Sequence, residues 1–271
     1  MISTVTEWDA AGYARISSLQ AAMAAEALAL LQFGGDEQVL DVGCGNGTIT
    51  AQIAARVPRG TVTGVDPSRE MIAYAAAHFG PAAFPNLRFG VGDARTLAFH
   101  DAFDRVVSFN ALHWVPDQAA ALRSIRRAMK AAARAQLRLV VDGGRASVET
   151  VVEQTRKSSR WAAYFADFRD PYLHVTPAQY AADAERNGLR VIERSVHDKA
   201  WDFGTPAAFH AFCAVGCVAW TEQLPDALRD PFIDDALDRY RRAIGAAPGE
   251  GGVFRFYQMD VTVVRDATPA P

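Results

Sequence analysis

The sequence predicts an α/β protein with a doubly wound, mostly parallel sheet and a helical cap, and three observations support this fold class. Short apolar runs alternate with helix-like segments between residues 36 and 141, and the connections are too long for hairpins. A glycine-rich loop follows the first of these runs, at the place where α/β sheets bind their ligands. After residue 141, two long aromatic, helix-prone blocks interrupt the alternation.

The composition is that of an ordinary globular protein of 271 residues and 29.3 kDa, with 50% hydrophobic and 22% charged residues, which excludes wholesale disorder. A total of 28 Lys and Arg against 31 Asp and Glu gives a net charge of -3, without the basic excess typical of nucleic-acid binding. No apolar stretch approaches the roughly 20 residues of a membrane helix, and no signal peptide is evident. Three cysteines do not suggest a disulfide framework. We therefore expect a cytoplasmic protein that binds neither nucleic acid nor membranes.

Five apolar runs and four helix-like segments make up the first half of the chain. The first helix, residues 6–33, has Ala, Leu, Met and Glu at helical spacing, and Gly34 and Gly35 end it. The first strand, residues 38–42, is a short apolar run that stops at glycines, as a buried parallel strand does. Pro and Gly residues separate most of the later elements. These are predicted helices over residues 48–57, 69–79 and 117–129, and predicted strands over residues 61–65, 87–91, 103–109 and 135–141.

The second half is predicted from its aromatic blocks and its helix caps. Thr176 and Pro177 open a helix as N-cap and first-turn residue, and Asn187-Gly188 closes it. Residues 142–175 are helix-prone, residues 189–197 alternate like a strand, residues 201–246 are helical again, and residues 254–265 form a last strand. We predict N-terminal lid helices (1–35), a ligand-binding core (36–141), cap insertions (142–175 and 200–249), the remainder of the core (176–199 and 250–265) and a disordered tail (266–271).

The loop at residues 43–47, Gly-Cys-Gly-Asn-Gly, follows a predicted strand and precedes a predicted helix. A phosphate-binding P-loop needs Lys and then Ser or Thr after its last glycine, and here Thr48 and Ile49 follow. A dinucleotide fingerprint also fails, because Thr48 stands at its third position. Asp41 enters the loop, where it would repel a pyrophosphate and suit a ligand with positive charge. S-adenosylmethionine has this character, since it carries an ammonium and a sulfonium group and no phosphate.

Two further acidic residues follow neighbouring strands. Asp66 ends the second strand, where a carboxylate can accept hydrogen bonds from both ribose hydroxyls; the alternative is an N-cap for the helix that begins at Arg69. Asp93 follows the third strand, where it could accept from an adenine amino group while the Ala94 amide donates to the ring. The alternative for Asp93 is an ordinary turn. In register with the glycine loop, the two acids favour a nucleoside ligand.

These motifs, with residues 103–115, resemble those of the class I S-adenosylmethionine-dependent methyltransferases, which implies a Rossmann-like sheet of seven strands. Beyond this core, residues 109–117 and the Thr-Pro-Ala-Gln-Tyr run at 176–180 are similar to the trans-aconitate and juvenile hormone acid methyltransferase branch. Where the family usually has Pro-Gly-Gly before strand five, this chain has Lys130-Ala-Ala-Ala133. The resemblance implies S-adenosylmethionine as cofactor and S-adenosylhomocysteine as product. The predicted cofactor contacts are Asp41, Gly43, Cys44, Gly45, Gly47, Asp66, Pro67, Asp93, Ala94 and Asn110.

Four residues are candidates for the acceptor side of the reaction, an in-line displacement that mainly requires alignment and exclusion of water. His113 is a candidate base; its alternative is a ring held by the backbone as scaffold. Trp114 is either an acceptor contact or a core residue. Tyr13 and Gln20 share a helix face. We predict Tyr13 in a lid and Gln20 at the acceptor, with a solvated position as the alternative for Gln20. The resemblance implies that Trp114 and Gln20 grip an acceptor carboxylate.

The sequence thus predicts a methyltransferase that acts on a small apolar or aromatic acceptor. The alternatives are a carboxylate O-methyltransferase, methylation of a natural-product ring at C, N or O, a catalytically silent S-adenosylmethionine-binding regulator, and a nicotinamide oxidoreductase. No metal is expected, because His210, Cys213 and Cys217 lie on one helix face, whereas zinc ligands usually come from more than one element. The Ala-rich, Arg-over-Lys composition is typical of a GC-rich bacterial genome. We expect a monomer or a homodimer.

Overall fold

Seven strands form one sheet in the part of the chain that the computed structural model describes, residues 18–247 and 249–266. The strands are β1 (Gln38–Val42), β2 (Thr61–Asp66), β3 (Leu87–Val91), β4 (Phe103–Phe109), β5 (Met129–Val141), β6 (Leu189–Asp202) and β7 (Val253–Arg265). The helices are α1 (Ser18–Leu30), α2 (Thr48–Arg56), α3 (Arg69–His78), α4 (Gln118–Ala128), α5 (Val148–Arg156), α6 (Pro177–Arg186), α7 (Pro206–Gly216), α8 (Val218–Thr221) and α9 (Asp226–Ala243). The predicted start of the first helix and residues 267–271 of the predicted tail lie outside the described residues.

The order of the strands is β3-β2-β1-β4-β5-β7-β6, and among them β7 runs antiparallel to both of its neighbours. Strands β1 to β5 pair in parallel. These pairings confirm the predicted doubly wound, mostly parallel sheet of seven strands. The strand order reverses between β1 and β4, and ligands of such sheets bind beyond the carboxyl ends of the strands at this point. The site is therefore expected just after Val42 and Phe109.

Helix α1 connects the sheet to the cap. Its Leu28 packs with Ile53 of α2 and Val107 of β4 against one face of the sheet. Its Leu19 belongs instead to the aromatic cluster that fills the cap, which includes Trp220 of α8. Burial of one such leucine contributes about 1.5 to 3 kcal/mol. One end of α1 is therefore fixed on the sheet, and the other reaches the region between sheet and cap.

Two predicted helix starts depend on side-chain caps. The Thr176 hydroxyl accepts a hydrogen bond from the Gln179 amide at 3.3 Å, and the Gln179 side chain accepts from the Thr176 amide at 2.9 Å. This capping box supports the predicted N-cap. At α3, the Ser68 hydroxyl accepts from the Met71 amide at 3.2 Å. The alternative prediction that Asp66 caps α3 is wrong, because Ser68 occupies that position.

Strand β5 begins at Met129, six residues before the predicted start at Ala135. Met129 pairs with Phe103, and Arg134 pairs with Arg105, so residues 130–133 bulge opposite a single residue of β4. The Lys130 ammonium donates to both carboxylate oxygens of Asp104 at 2.9 Å, which holds the bulge against β4. A helix pattern without proline or glycine thus passes directly into a strand, at the point where the family usually has Pro-Gly-Gly.

The cap is less helical than predicted. Within residues 142–175, the structure has α5 and a single 3-10 turn, Ala162–Phe165. The prediction that residues 201–246 are helical is wrong at its start, because Trp201 and Asp202 belong to β6 and pair with Phe254 and Val253 of β7. Helices α7, α8 and α9 lie between these two long strands. The helix-prone residues that follow Trp201 favour a helix, whereas pairing with β7 extends the strand to this point. None of the helices in the described ranges is long and apolar enough to cross a membrane.

Candidate functional site

The glycine loop lies at the carboxyl end of β1, and backbone contacts fix its position. The amides of Gly43 and Cys44 both donate to the Val65 carbonyl of β2, at 2.8 and 3.0 Å. A Cβ atom on Gly43 would lie 2.2 Å from the Ala111 Cβ, and one on Gly47 would lie 2.7 Å from the Ala75 Cβ. Both glycines also have positive φ angles, of 77° and 80°. These two positions therefore need glycine for packing as well as for backbone conformation.

Gly45 differs from its two neighbours because its Cα faces open space. Apart from the two adjoining residues, no heavy atom in the described part of the chain lies within 4 Å of the place where a Cβ would stand, and the φ angle is +52°. Its amide donates to Oδ2 of Asp66 at 2.9 Å, and Oδ1 of the same carboxylate accepts from the Ser68 amide at 2.9 Å. Asp66 thus ties the loop to the end of β2. The open side of the loop can accommodate a ligand close to the backbone.

Asp41 is buried beneath the loop and has an unusual acidity. Its carboxylate accepts a hydrogen bond from the Thr50 hydroxyl at 2.7 Å. Burial raises the pKa of Asp41 to about 7; the Thr50 hydrogen bond opposes this rise, and the nearby charge of Asp66 adds to it. A cationic group arriving above the loop would lower this pKa again. A positively charged ligand would therefore stabilise the charged form of Asp41 and be attracted to it.

Asp93 and Ala94 begin the 3-10 turn after β3. The Asp93 carboxylate accepts from the Arg95 amide at 2.8 Å and from the Arg95 guanidinium at 2.9 Å. The hydrogen bonds of the Arg95 side chain hold the pKa of Asp93 below its usual range, so this carboxylate is charged at neutral pH. Gly92 leads into the turn, and its amide donates to the Asp66 carbonyl at 3.0 Å. The second and third acids predicted from the sequence are therefore brought to the same edge of the sheet.

Asn110, the first residue after β4, has a buried side-chain oxygen without a hydrogen-bond partner among the described residues. Its backbone is left-handed, with φ of +57°, and its amide donates to the Arg138 carbonyl at 2.8 Å. The side-chain Oδ1 is buried, and it has no hydrogen-bond partner among the described residues. The next residue, Ala111, is the one that approaches Gly43. An unpartnered polar atom beside the open glycine loop is what a ligand site provides.

His113 is a buried residue held by the backbone of β5. Its Nδ1 accepts a hydrogen bond from the Val140 amide at 3.2 Å. Burial lowers the pKa of His113 to about 3, so the ring is neutral at physiological pH. With Nδ1 as acceptor, the proton of the neutral ring lies on Nε2. This geometry favours the scaffold alternative over a general base.

Trp114 joins the end of β4 to the aromatic interior of the cap. Its ring packs edge-on against Tyr172, with centroids 5.0 Å apart, and against Trp220 at 6.0 Å. Tyr172 also lies 5.2 Å from the His113 ring. The sequence places Tyr172 only within an aromatic block of the cap, and no motif marks it as a neighbour of the site. Its position depends on the loop that returns from the cap, where the Leu173 amide donates to the His113 carbonyl at 2.7 Å.

The remaining predicted residues are only partly described. Gln20 lies in α1, but its side chain is outside what the structure describes, and Tyr13 lies wholly outside the described residues. Cys44 is buried with its sulfur next to Gly64. His210 pairs with Asp234 at 3.5 Å near the surface, whereas Cys213 and Cys217 are buried inside the cap. Among the described residues, no group of three or more His, Cys, Asp or Glu side chains could hold a metal ion.

Comparisons with known proteins agree with this geometry. A family model described as a methyltransferase domain matches residues 39–132. Trans-aconitate 2-methyltransferase from Deinococcus radiodurans is 30% identical over 260 residues, which cover 92% of this chain and 95% of that protein. The YcgJ protein from Bacillus subtilis has a TM-score of 0.64 and 17% identity, covering 92% of this chain and all of that chain. Geranyl diphosphate C-methyltransferase from Streptomyces coelicolor, solved with S-adenosylhomocysteine, has a TM-score of 0.55 and 17% identity, covering 94% of this chain and 82% of that chain.

Proposed function

We propose a small apolar or aromatic methyl acceptor, on the premise that the chain belongs to the class I S-adenosylmethionine-dependent methyltransferases, in the branch of trans-aconitate 2-methyltransferase. The chain is accordingly an enzyme, and its cofactor is S-adenosylmethionine. The cofactor supplies a methyl group on a positively charged sulfur. The protein must hold it, align an acceptor with the methyl group and exclude water.

The residues at the carboxyl edge of the sheet fit this cofactor. The open side of Gly45 leaves room for a ligand against the backbone, and the unpartnered Oδ1 of Asn110 offers an acceptor beside it. We assign the methionine end to the glycine loop and Asp41, the ribose to Asp66, and the adenine to Asp93 and Ala94. The acidic character of this edge suits a cation without phosphate groups. The full set of assigned contacts is Asp41, Gly43, Cys44, Gly45, Gly47, Asp66, Pro67, Asp93, Ala94 and Asn110.

The single observation that carries the acceptor class is the aromatic wall after β4. Trp114 contacts Tyr172 and Trp220, and Trp220 in turn contacts Phe168, with ring centroids 6.2 Å apart. Aromatic side chains of this kind line pockets for apolar and aromatic ligands. We place the acceptor against this wall, with the cap over it and with Tyr13 and Gln20 on the side of α1.

We assign His113 a positioning role. Its Nδ1 is engaged by the Val140 amide and burial keeps its ring neutral, so it holds the end of β4 against β5. A carboxylate acceptor needs no base, and a phenol that ionises in solution needs none from His113. The reaction then depends on alignment of the acceptor with the methyl group and on exclusion of water by the cap. It does not depend on proton removal by the His113 ring.

A second candidate is O-methylation of a carboxylate, and the 30% identity with a trans-aconitate 2-methyltransferase favours it. The charges around the cap argue against an acceptor with several carboxylates. Arg145 is paired with Asp198 at 2.6 Å, Arg138 with Asp260 at 2.7 Å, and His174 with Asp170 at 2.9 Å. These cations are already engaged by acids, so we keep an apolar or aromatic acceptor as the first proposal.

Titration calorimetry with S-adenosylmethionine and S-adenosylhomocysteine tests the cofactor site. We expect micromolar binding to the wild-type protein and about tenfold weaker binding to Asp66→Asn, which equals about 1.4 kcal/mol. The conservative change keeps the size of the side chain and removes its charge. Asp104→Asn is the control, because Asp104 lies at the start of β4, at the other end of the strand from the site. This variant should bind like wild type. Equal affinity of Asp66→Asn and wild type would contradict the ribose assignment.

The acceptor class is tested by methyl transfer from labelled S-adenosylmethionine to phenols, indoles, monocarboxylic acids and trans-aconitate. The proposal expects aromatic acceptors to be methylated and trans-aconitate to be poor. Mild alkali releases the label from a methyl ester but not from a ring carbon or an aryl ether. Efficient methylation of trans-aconitate with an alkali-labile product would replace the first candidate by the second.

A further inference from the structure

Three side chains carry buried polar atoms that lack partners, two of them in the cap and one on strand β7. Both amide atoms of Gln258, the hydroxyl of Tyr172 and Oε2 of Glu149 have no hydrogen-bond partner in the described part of the chain. Gln258 is fully buried, and Tyr172 is 6% exposed. An unpartnered buried polar group destabilises a protein, because it has lost its hydrogen bonds with water and gained none in return. Such groups are kept where a ligand satisfies them.

The three residues come from different elements, and Gln258 and Tyr172 are connected through His113, just after β4. Gln258 of β7 pairs with Val140 of β5, so the two side chains lie on the same face of the sheet. The Val140 amide donates to His113, and the His113 ring lies 5.2 Å from Tyr172. Tyr172 in turn packs edge-on against Trp114. Gln258 is thus connected to His113 through Val140, and Tyr172 contacts His113 directly.

Glu149 adds a carboxyl group to this region, beside the carboxylates of Asp142 and Asp170. It lies in the first turn of α5, and burial raises its pKa. The pKa of Tyr172 is also raised, first by burial and then by the charges of Glu149, Asp142 and Asp170. The neighbouring cation, His174, lies between Asp142 and Asp170. An anionic ligand would therefore meet repulsion here, and a neutral donor or acceptor group would not.

We propose that Gln258, Tyr172 and Glu149 form a polar subsite of the acceptor pocket, which takes an uncharged hydrogen-bonding group, such as a hydroxyl or carboxamide, on an apolar or aromatic acceptor. The inference rests on the proposed function and makes it more specific. A site built to hydrogen-bond one group rejects analogues that lack it, because its own polar atoms are then left unpaired. The subsite therefore selects among aromatic acceptors and disfavours polycarboxylates.

The first test measures binding of two matched probes to the complex of the protein with S-adenosylhomocysteine. In 2-naphthol a hydroxyl stands where 2-methylnaphthalene has a methyl group of similar size. We expect wild type to prefer 2-naphthol by about tenfold, since one lost hydrogen bond with an unpaired partner has that effect. The preference should fall below about threefold in Tyr172→Phe and in Gln258→Leu. Trans-aconitate should not displace 2-naphthol from wild type and should compete better in Glu149→Gln.

The second test needs no acceptor and uses the thermal midpoint of the unliganded protein. Tyr172→Phe and Gln258→Leu should raise the midpoint by a degree or more, because each removes an unpartnered buried group. Tyr240→Phe is the matched control: its hydroxyl donates to the Arg255 carbonyl at 3.0 Å and accepts from the Arg255 amide at 2.8 Å. That variant should lower the midpoint. If Tyr172→Phe and Gln258→Leu also lower it, the two groups are structural and the subsite is refuted.

The two tests separate failure of the subsite from failure of the proposed function. S-adenosylhomocysteine is titrated into every variant first, and each should bind it like wild type. Loss of this binding in wild type would overturn the cofactor assignment. If wild type binds the cofactor product but neither naphthalene probe, or binds both equally, the subsite is overturned while the cofactor site stands.

Discussion

At the scale of single residues, burial sets the properties of the titratable groups around the site. Asp41 and His113 lie under the carboxyl edge of the sheet, and each is buried with a hydrogen bond to its side chain. The environment favours the neutral form of both, which raises the pKa of the acid and lowers that of the base. From the sequence, both residues are candidates for roles that depend on charge. We propose that a bound cation would favour the charged form of Asp41 and that His113 takes no part in proton transfer.

Asp41→Asn tests the first of these properties through the pH dependence of stability. The folded-state pKa of about 7 lies above the ordinary value of 3.8, so the folded state binds the proton more tightly than the unfolded state. Wild-type stability should therefore fall as pH rises from 3.8 to about 7, by at most about 1.4 kcal/mol per pH unit. The variant should lack this fall. Urea unfolding at several pH values measures it, and Asp238→Asn on the surface of α9 should behave like wild type.

At the scale of elements, the three glycines of the loop at residues 43–47 meet three requirements: close packing, positive φ angles and an open face for a ligand. Gly43 and Gly47 have neighbours that leave no room for a Cβ, whereas Gly45 has a positive φ angle and open space. The loop is anchored at its start through the Val65 carbonyl and at its middle through Asp66. It is therefore a rigid surface on one side and an open one on the other. That asymmetry is what a loop that carries a ligand needs.

We expect alanine substitutions at Gly47 and Gly45 to have different effects, the first on stability and the second on cofactor binding. Gly47→Ala must displace Ala75 or Phe89, each 2.7 Å from the new Cβ, in addition to the strain at positive φ. It should lower the free energy of unfolding by more than about 2 kcal/mol. Gly45→Ala adds only backbone strain of about 1 to 2 kcal/mol, but its methyl group points into the open space. It should stay folded and bind S-adenosylmethionine at least tenfold more weakly. Equal loss of stability in both variants would contradict this division of roles.

At the scale of the whole molecule, the site lies where the sheet and the cap meet, and a few polar contacts join the two. Arg138 of β5 pairs with Asp260 of β7 and donates to the Met23 carbonyl of α1 at 3.1 Å. His174 connects the loop after the cap to Asp142, at the end of β5, and to Thr150 of α5 at 3.3 Å. These contacts hold α1 and α5 against the sheet. We propose on this basis that the cap is a unit added to the sheet rather than a part of its core.

His174 makes this junction dependent on pH. The carboxylates of Asp142, 3.8 Å away, and of Asp170, hydrogen-bonded at 2.9 Å, raise the pKa of His174 to about 10, above its ordinary value of 6.5. The stabilisation is therefore fully present below pH 6.5 and is lost as pH rises towards about 10. Wild type should lose stability over this range, and His174→Asn should not. Guanidinium unfolding at several pH values tests this, and His197→Asn, on exposed β6, should keep the wild-type dependence.

Local patterns along the chain were sufficient for those features that depend on neighbouring residues. Glycine spacing after β1, the acids after β2 and β3, and the capping box at Thr176 are patterns of this kind, and each appears at the predicted place. These patterns were enough to predict the fold class, the cofactor and the family. The residues that contact across the cap were not predictable in this way. No pattern placed Gln258 beside Val140 or directed the Val140 amide to His113, because these contacts join residues far apart in the chain.

Packing in three dimensions settled where strands end and which buried polar groups meet. Trp201 lies in a strand because β7 pairs with it, and residues 130–133 bulge because α4 leads straight into β5. The hydrogen bond from the Val140 amide to His113 and the unpartnered atoms of Tyr172 and Gln258 likewise depend on the packing of several elements. The physical reason is the same in each case. Burial and hydrogen-bond partners are properties of the assembled core, and a local sequence pattern carries only the propensity to reach it.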